Sequence, residues 1–285
     1  MKNVLRALVY NEQVSLTLID TTELVREGQK RHILTPLSTY VFGKALSAMT
    51  FMSSCLKGET GEVSLSIKCD GAAEEIAVSG NKALYMRGYI NNTGMSGEAD
   101  ERNEKASLGV DGSLTIIRDD GYSRPFIGSC AIPENCGVDG AFEEYYRISE
   151  QLPTRIFTTV EFGDSGEVAF AGVAVLQPLP FADKETLRKV EKFSLQDLLS
   201  KVKTDGVENA AKSYFAGENS VWETVVARYK CNCSRRYLMR VLVSLGEEQL
   251  REIIREEGAV RIHCHYCNTD YEFDEEDADH LFPHS

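Results

Sequence analysis

The sequence predicts an α+β protein in three parts: a large N-terminal domain of mixed strands and helices over 1–180, a helical linker over 181–230, and a small C-terminal domain over 231–285. Three observations carry this. Up to residue 180, runs rich in β-branched and aromatic residues recur between Gly and Asp turn signals, with a few separate helical stretches, as in antiparallel sheets with segregated helices. After Pro178-Leu179-Pro180, charged residues become dense and strand signals vanish. From Cys231 onward, two close cysteine pairs frame one small helical segment.

In chain order, Asn3 to Tyr10 and Gln13 to Asp20 read as two strands joined at Asn11-Glu12. Asp20 and Glu23 suit a capping box that opens a helix running to about Arg31. Thr35, with Pro36 behind it, caps a second helix from Leu37 to Leu56 that is apolar on most sides and therefore belongs in the core. Val63 to Cys69, Glu75 to Ser79, Ala83 to Ile90, Ser113 to Arg118 and Pro125 to Ala131 are strand-like, divided by Asp70-Gly71, Gly80-Asn81 and Asp111-Gly112. The polar stretch from Thr93 to Leu108 predicts a mobile loop. Gly140 to Gln151 reads as a short helix, and Arg155 to Phe162 and Glu167 to Leu176 as closing strands.

In the linker, Leu187, Val190, Leu195, Leu198, Leu199 and Val202 form a helical stripe, Asp205-Gly206 breaks it, and Val207 to Phe215 forms another short helix ended at Gly217. No stretch there is long enough to hold a core of its own, so it must pack on a neighbour or be marginally stable. Trp222 with Val221, Val225 and Val226 forms an apolar cluster expected to dock on an adjoining domain. In the last part, Ser234 caps a helix ended at Gly246, Glu247 to Glu257 forms a second, Val260 to His263 is a strand, and Tyr271-Glu272-Phe273 pairs back on it. The acidic run from Asp274 to Asp279 reads as a solvated end.

The chain has 285 residues, 42% of them apolar, enough for one large core and one small one. No run approaches the roughly 18 apolar residues of a membrane span, and the N-terminus reads as a strand rather than a secretion signal. A cytoplasmic location is therefore expected, where eight cysteines argue for metal or redox chemistry over a disulfide framework. The formal net charge of −13 counts against binding to a phosphate backbone.

Cys231-Asn232-Cys233 and Cys264-His265-Tyr266-Cys267 have the arrangement of a four-thiolate zinc site. Each pair sits on a tight turn, and two turns brought together make the tetrahedron that Zn²⁺ prefers. The single residue between Cys231 and Cys233 is shorter than the usual gap and leaves those sulfurs close enough to oxidise to each other. The plainer reading is an inert structural zinc site. About 55 residues with few apolar anchors need such a staple in either case. Cys233 lies just before a helix N-terminus, with Arg235 and Arg236 following, a setting that favours thiolate. His263 and His265 flank the second pair, but four thiolates already complete the shell, so both read as surface residues. Cys55, Cys69, Cys130 and Cys136 lack paired spacing; Cys55 and Cys69 read as ordinary buried thiols, and no metal is assigned to Cys130 and Cys136. Phosphate-binding loops and hydrolase or metalloprotease motifs are absent, and Asp119-Asp120-Gly121 is better read as a turn than as paired carboxylates.

Across essentially its whole length the sequence resembles the heat-shock protein 33 family of redox-regulated bacterial holdase chaperones. The resemblance is sharpest at Cys231-Asn232-Cys233-Ser234-Arg235 and His263-Cys264-His265-Tyr266-Cys267-Asn268. Met86-Arg87-Gly88-Tyr89, Ser149-Glu150-Gln151-Leu152-Pro153-Thr154-Arg155 and Leu176-Gln177-Pro178-Leu179-Pro180 support it. It implies a non-enzymatic, ATP-independent chaperone for unfolding proteins, inactive when reduced with one zinc on Cys231, Cys233, Cys264 and Cys267. It implies activation by formation of Cys231–Cys233 and Cys264–Cys267 disulfides with zinc release, and a homodimer as the active form. Two alternatives belong to other classes. A thiol–disulfide oxidoreductase would suit the Cys264 to Cys267 spacing but needs a βαβ context that is absent. A zinc-ribbon nucleic-acid binder would need more cations than Lys230, Arg235 and Arg236 beside an acidic tail.

Overall fold

The computed structural model describes residues 3–58, 60–215 and 223–282. The chain forms two compact units, Met1–Lys230 and Cys231–Ser285. The larger is α+β and built on two sheets. Hairpin β1 (Val4–Val9) and β2 (Val14–Asp20) leads into α1 (Thr22–His32) and the central helix α2 (Pro36–Ser54). Then come β3 (Glu62–Cys69), β4 (Glu75–Asn81), β5 (Tyr85–Ile90), α3 (Glu101–Leu108), β6 (Gly112–Asp119), β7 (Phe126–Ala131) and α4 (Val138–Tyr145), which runs into a π-helical turn (Tyr146–Glu150). Strands β8 (Arg155–Phe162) and β9 (Val168–Pro178), helices α5 (Lys184–Lys192) and α6 (Leu195–Tyr214), and short strands β10 (Glu223–Val225) and β11 (Arg228–Tyr229) complete it.

One sheet runs β10-β1-β2-β9-β8 and the other β11-β5-β4-β3-β6-β7. All neighbours are antiparallel except β11, which joins β5 in parallel. Helix α2 packs against strands of both sheets, which explains why it is apolar nearly all round: Val41, Phe42, Ala45, Leu46, Ala48 and Met49 are fully buried. Its start is as the sequence predicts, with Pro36 in the first turn and Thr35 Oγ1 accepting from Ser38 N. The alternation of β1 and β2 places Val4 and Ile19 in the core around α2. Leu5, Ala7, Val14, Leu16 and Leu18 meet Val190, Leu195, Leu198, Leu199, Val202, Val207, Ala210 and Ala211 of α5 and α6. The linker stripe therefore packs on a neighbour, covering the second face of that sheet. Gly206 interrupts α6 at φ 79°, ψ 166°, the break expected at Asp205-Gly206.

Several expectations are corrected. Thr93 to Leu108 is not all loop: α3 forms there, capped by Asp100, because Glu104 and Leu108 are buried. Glu104 reaches Lys44 Nζ at 2.8 Å and accepts from Val138 N at 2.7 Å. Lys44 Nζ also lies 3.5 Å from Asp139, which accepts from Thr158 N and Oγ1. The Asp20–Glu23 capping box does not form; Thr21 is the cap position, Asp20 accepts from Thr22 N, and Glu23 pairs with Arg26. The stripe from Phe181 to Lys203 is divided between α5 and α6. Strand signals do not vanish in the linker, since β10 and β11 each extend a sheet. Val221, Trp222 and Gly217 lie outside the described residues, while Val225 is 38% exposed.

The smaller unit contains α7 (Arg235–Leu245), α8 (Glu247–Glu257), hairpin strands β12 (Val260–Cys264) and β13 (Thr269–Phe273), and α9 (Glu275–Leu281). Its core is Leu242, Leu250, Ile254, Phe273 and Ala278. Ser234 caps α7 and Gly246 ends it, as expected. The acidic run is not a loose end: Asp274 and Asp277 form a capping box, Ala278 is buried in the core, and Asp277 pairs with Arg235.

Candidate metal centre

Cys231 and Cys233 lie on the extended segment just before the Ser234 cap of α7, and Cys264 ends β12. Cys267 sits in the turn to β13, where Cys267 N donates to Cys264 O at 3.3 Å and Asn268 takes φ 51°. This folds the second pair back on itself. The four sulfurs all lie within 4.8 Å of one another. Cys231 Sγ is 3.8 Å from Cys264 Sγ, and Cys233 Sγ is 3.1 Å from Cys267 Sγ. A tetrahedral ion with bonds of about 2.3 Å to sulfur has edges of roughly 3.8 Å, so this all-sulfur set fits a tetrahedral metal. Cys267 is buried and the other three are half-buried.

The surroundings divide the charge unequally among the thiols. Burial raises Cys233, but hydrogen bonds with Tyr271 Oη and the sulfurs of Cys267, Cys231 and Cys264 outweigh it and bring the thiol down to about 7. Cys231 is pushed up to about 11, chiefly by burial, and Cys264 is raised too, by burial and then by its place beside Cys233 and Cys267. The ionised form of Cys233 is thus favoured by its hydrogen-bond partners, whereas burial disfavours that of Cys231 and Cys264. Tyr271 Oη, 3.3 Å from that sulfur, is a site residue that the sequence reading treated only as part of a strand. Its signal was alternation: Tyr271 shares a strand face with the fully buried Phe273.

Arg235 does not act on Cys233 by charge alone. Its guanidinium bonds Glu272 O and Asp277 and lies over the Phe273 ring, clamping the start of α7 to β13 and α9. Among the described residues the metal-competent group contains neither His263 nor His265; His263 pairs with Asp270 at 2.7 Å. Cys55, Cys69, Cys130 and Cys136 are thiols of the larger unit that form no disulfide, Cys130 buried and the rest half-buried. Burial raises all four, Cys136 to about 11 with help from Glu104. Asp119-Asp120-Gly121 is a turn, with Asp120 Oδ1 accepting from Tyr122 N and Ser123 N.

A family model described as "Hsp33 protein" matches residues 2–274. A "33 kDa chaperonin" of Bacillus mycoides is 33% identical over 291 residues, covering 99% of each chain. Another, of Bacillus licheniformis, is 30% identical over 288 residues, again covering 99% of each. The crystal structure of the 33 kDa chaperonin (heat shock protein 33 homolog) of Thermotoga maritima superposes with a TM-score of 0.83 over 99% of this chain and 98% of that one, at 23% identity, a likeness of fold. With a family model that matches residues 2–274 and relatives aligned over 99% of the chain, the chain belongs to the Hsp33 family, a family of chaperones and not of enzymes.

Proposed function

We propose that this chain is an ATP-independent holdase for unfolding proteins, switched by the redox state of Cys231, Cys233, Cys264 and Cys267. The observation that carries the proposal is the convergence of those four sulfurs within 4.8 Å in a unit with only a small apolar core. Reduced, the four cysteines hold one zinc ion, which when bound keeps them as thiolates and ties the two turns together. Oxidation joins Cys231 to Cys233 and Cys264 to Cys267. Each disulfide removes two electrons from two thiolates, and one hydrogen peroxide accepts them, takes up two protons and leaves as two waters. The second unit then loses its staple. Residues 181–230 serve as the linker between the domain of 1–180 and the switch domain of 231–285. Their last strand, β11, ends two residues before Cys231, so unfolding of the switch domain starts beside it. Client proteins are held on the apolar surface released. The active form is a homodimer acting in the cytoplasm, with no role for nucleic acid or membranes; among the described residues no helix is long and apolar enough to cross a membrane.

Between the turns, Cys231 Sγ lies 3.8 Å from Cys264 Sγ and Cys233 Sγ 3.1 Å from Cys267 Sγ, and all four sulfurs lie within 4.8 Å of one another. Pairing within the turns, as the family resemblance implies, therefore competes with pairing between them. Peptide mapping of the oxidised chain separates the two outcomes. The test of function is suppression of aggregation of a heat-unfolded client, with zinc content followed in parallel. Oxidised protein should suppress aggregation without nucleotide after losing about one zinc per chain, and reduced protein should not. Equal activity in both states overturns the switch.

A further inference from the structure

The hairpin of the smaller unit brings a phenol to the thiol cluster. Strands β12 and β13 pair Cys264 with Thr269, Ile262 with Tyr271 and Val260 with Phe273, so these side chains share one face of the hairpin. Cys233 arrives from the other cysteine turn, just ahead of α7, and its sulfur lies 3.3 Å from Tyr271 Oη. This hydrogen bond therefore crosses between the two halves of the cluster. Arg235, two residues after Cys233, fastens the same two segments: its guanidinium bonds Glu272 O at 2.6 Å and lies over the Phe273 ring. The phenol thus stands on a strand clamped on the far side of its own residue.

The plainer explanation is packing, since Tyr271 borders the small core of Leu242, Leu250, Ile254, Phe273 and Ala278. Packing accounts for the ring and not for the hydroxyl. A phenylalanine would fill the same space, whereas a phenol hydroxyl in a half-buried place needs a partner. Its partner here is a sulfur. With all four cysteines as thiolates that sulfur carries no proton, so the Tyr271 O–H is the donor. A donated hydrogen bond draws negative charge from the sulfur. That steadies a crowded set of thiolates and makes the bonded sulfur a weaker nucleophile.

We propose that Tyr271 is a positioning residue of the switch: its hydroxyl holds Cys233 in the metal-binding arrangement and slows the reaction of that sulfur with peroxide. The proposal rests on the zinc-switch reading above and adds a residue to it. In the slowed step the Cys233 sulfur attacks one oxygen of hydrogen peroxide. The S–O bond forms, the O–O bond breaks, and the departing hydroxide takes a proton from solvent to become water. The Cys231 sulfur then attacks the Cys233 sulfur. The S–S bond forms, the S–O bond breaks, and the oxygen leaves with a second solvent proton as water. Two electrons pass from two thiolates to one peroxide, and Tyr271 keeps its proton throughout.

Tyr271→Phe keeps the ring and removes the hydroxyl. In the reduced full-length chain its zinc affinity, read by competition with a chromogenic chelator, should fall by about tenfold or more. Nucleophilic reactivity follows basicity at about half strength, so peroxide should release zinc about threefold faster. Cobalt supplies a readout that packing does not move, and at saturation it holds the unit folded. The sulfur-to-cobalt charge-transfer band should shift to longer wavelength in Tyr271→Phe, because the sulfur has lost its hydrogen bond. Replacing tyrosine throughout by 3-fluorotyrosine keeps every ring and makes the hydroxyl a stronger donor, so the band should move the opposite way. Tyr237→Phe, a change on the exposed face of α7, should match the parent in every measurement. A band that shifts in neither Tyr271→Phe nor the fluorinated chain overturns the proposal even where affinity falls, since packing alone would then be at work. A shifted band with parental zinc affinity and parental release rate overturns it too. A parent chain that takes up neither zinc nor cobalt removes the metal reading, and this proposal with it.

Discussion

The two units differ in what holds them together. The larger buries α2 between two sheets and closes the far face of one of them with α5 and α6, so it has two extensive buried clusters, one on each face of that sheet. The core cluster of the smaller has five buried residues among those described, and α7 leaves Tyr237, Val241, Val243 and Leu245 each at least 40% exposed. A unit of that size with so little burial is marginal without a cross-link or a metal. The large core of the first unit does not draw on the four clustered cysteines, whereas in the second unit that cluster stands beside a core of five residues.

The largest expected effect follows directly. If the four-cysteine cluster holds zinc as proposed, the ion contributes roughly 10–16 kcal/mol of apparent binding energy. Removing the metal with a strong chelator, or changing Cys233 or Cys264 to Ser, should abolish slow amide exchange throughout 235–281 and leave α2 and the central strands protected. Protection of α8 and the β12–β13 hairpin in the metal-free chain would show that the five-residue core suffices, and the contrast between the units would fail.

That contrast also marks what was legible in the sequence. The caps Thr35-Pro36 and Ser234 and the glycine stops Gly246 and Gly258 are local signals whose chemistry acts within a few residues, and each appears where expected. Helix α3 was not legible because Glu104 counts as polar in any pattern, yet it is buried against Lys44, 60 residues away in the chain. Strands β10 and β11 span three and two residues, too short for any periodicity, and exist because β1 and β5 offer open edges. Tyr271 joins the thiol site through hairpin register, which no spacing within the cysteine motif encodes.

The second prediction targets the scaffold. Lys44 is buried between Glu104 and Asp139; burial by itself lowers its pKa, but the two carboxylates outweigh that and raise it well above the ordinary value. Replacing it with Met leaves two buried carboxylates without a cation and should cost about 3–5 kcal/mol in the larger unit. Because the folded-state pKa is raised, the contribution is fully present below the ordinary lysine value of 10.5 and is lost as pH rises beyond it towards the folded value. Unfolding of the larger unit in denaturant should therefore become easier above that pH in the parent and change less in Lys44→Met. A cost below 1 kcal/mol would mean that the acids simply take up protons.

A smaller effect is expected at the kink of α6. Gly206 has φ 79°, ψ 166°, a region essentially closed to residues with a Cβ, and no heavy atom lies within 4 Å of the position a Cβ would take. Gly206→Ala therefore isolates backbone strain, about 1–3 kcal/mol. It should loosen 207–215 from the sheet, visible as faster exchange there, while the cysteine unit keeps its protection and its zinc.

The smallest change tests the boundary between the two kinds of stability. Tyr229 ends β11, two residues before Cys231. Its hydroxyl donates to Gly88 O at 2.9 Å, lies 3.4 Å from Gly88 N and 3.2 Å from His32 Nε2, and its ring lies under the Arg31 guanidinium. Arg228 N and Lys230 N bond Leu84 O and Met86 O on either side, and Lys230 Nζ sits over the Tyr85 ring. Tyr229→Phe keeps the ring and both backbone bonds and removes the hydroxyl alone. The cost should be about 1 kcal/mol, roughly a fivefold rise in local opening. Amide exchange should quicken at 228–230 and not in α2 or α8. If the linker is held by the larger unit and released by the switch, this variant should become an active holdase at a lower peroxide dose than the parent, with zinc content of the reduced form unchanged. Faster exchange at 228–230 with an unchanged dose response would mean that the tether to β5 is not what restrains the linker. Retained parental exchange would mean that the two backbone bonds carry the tether without the hydroxyl.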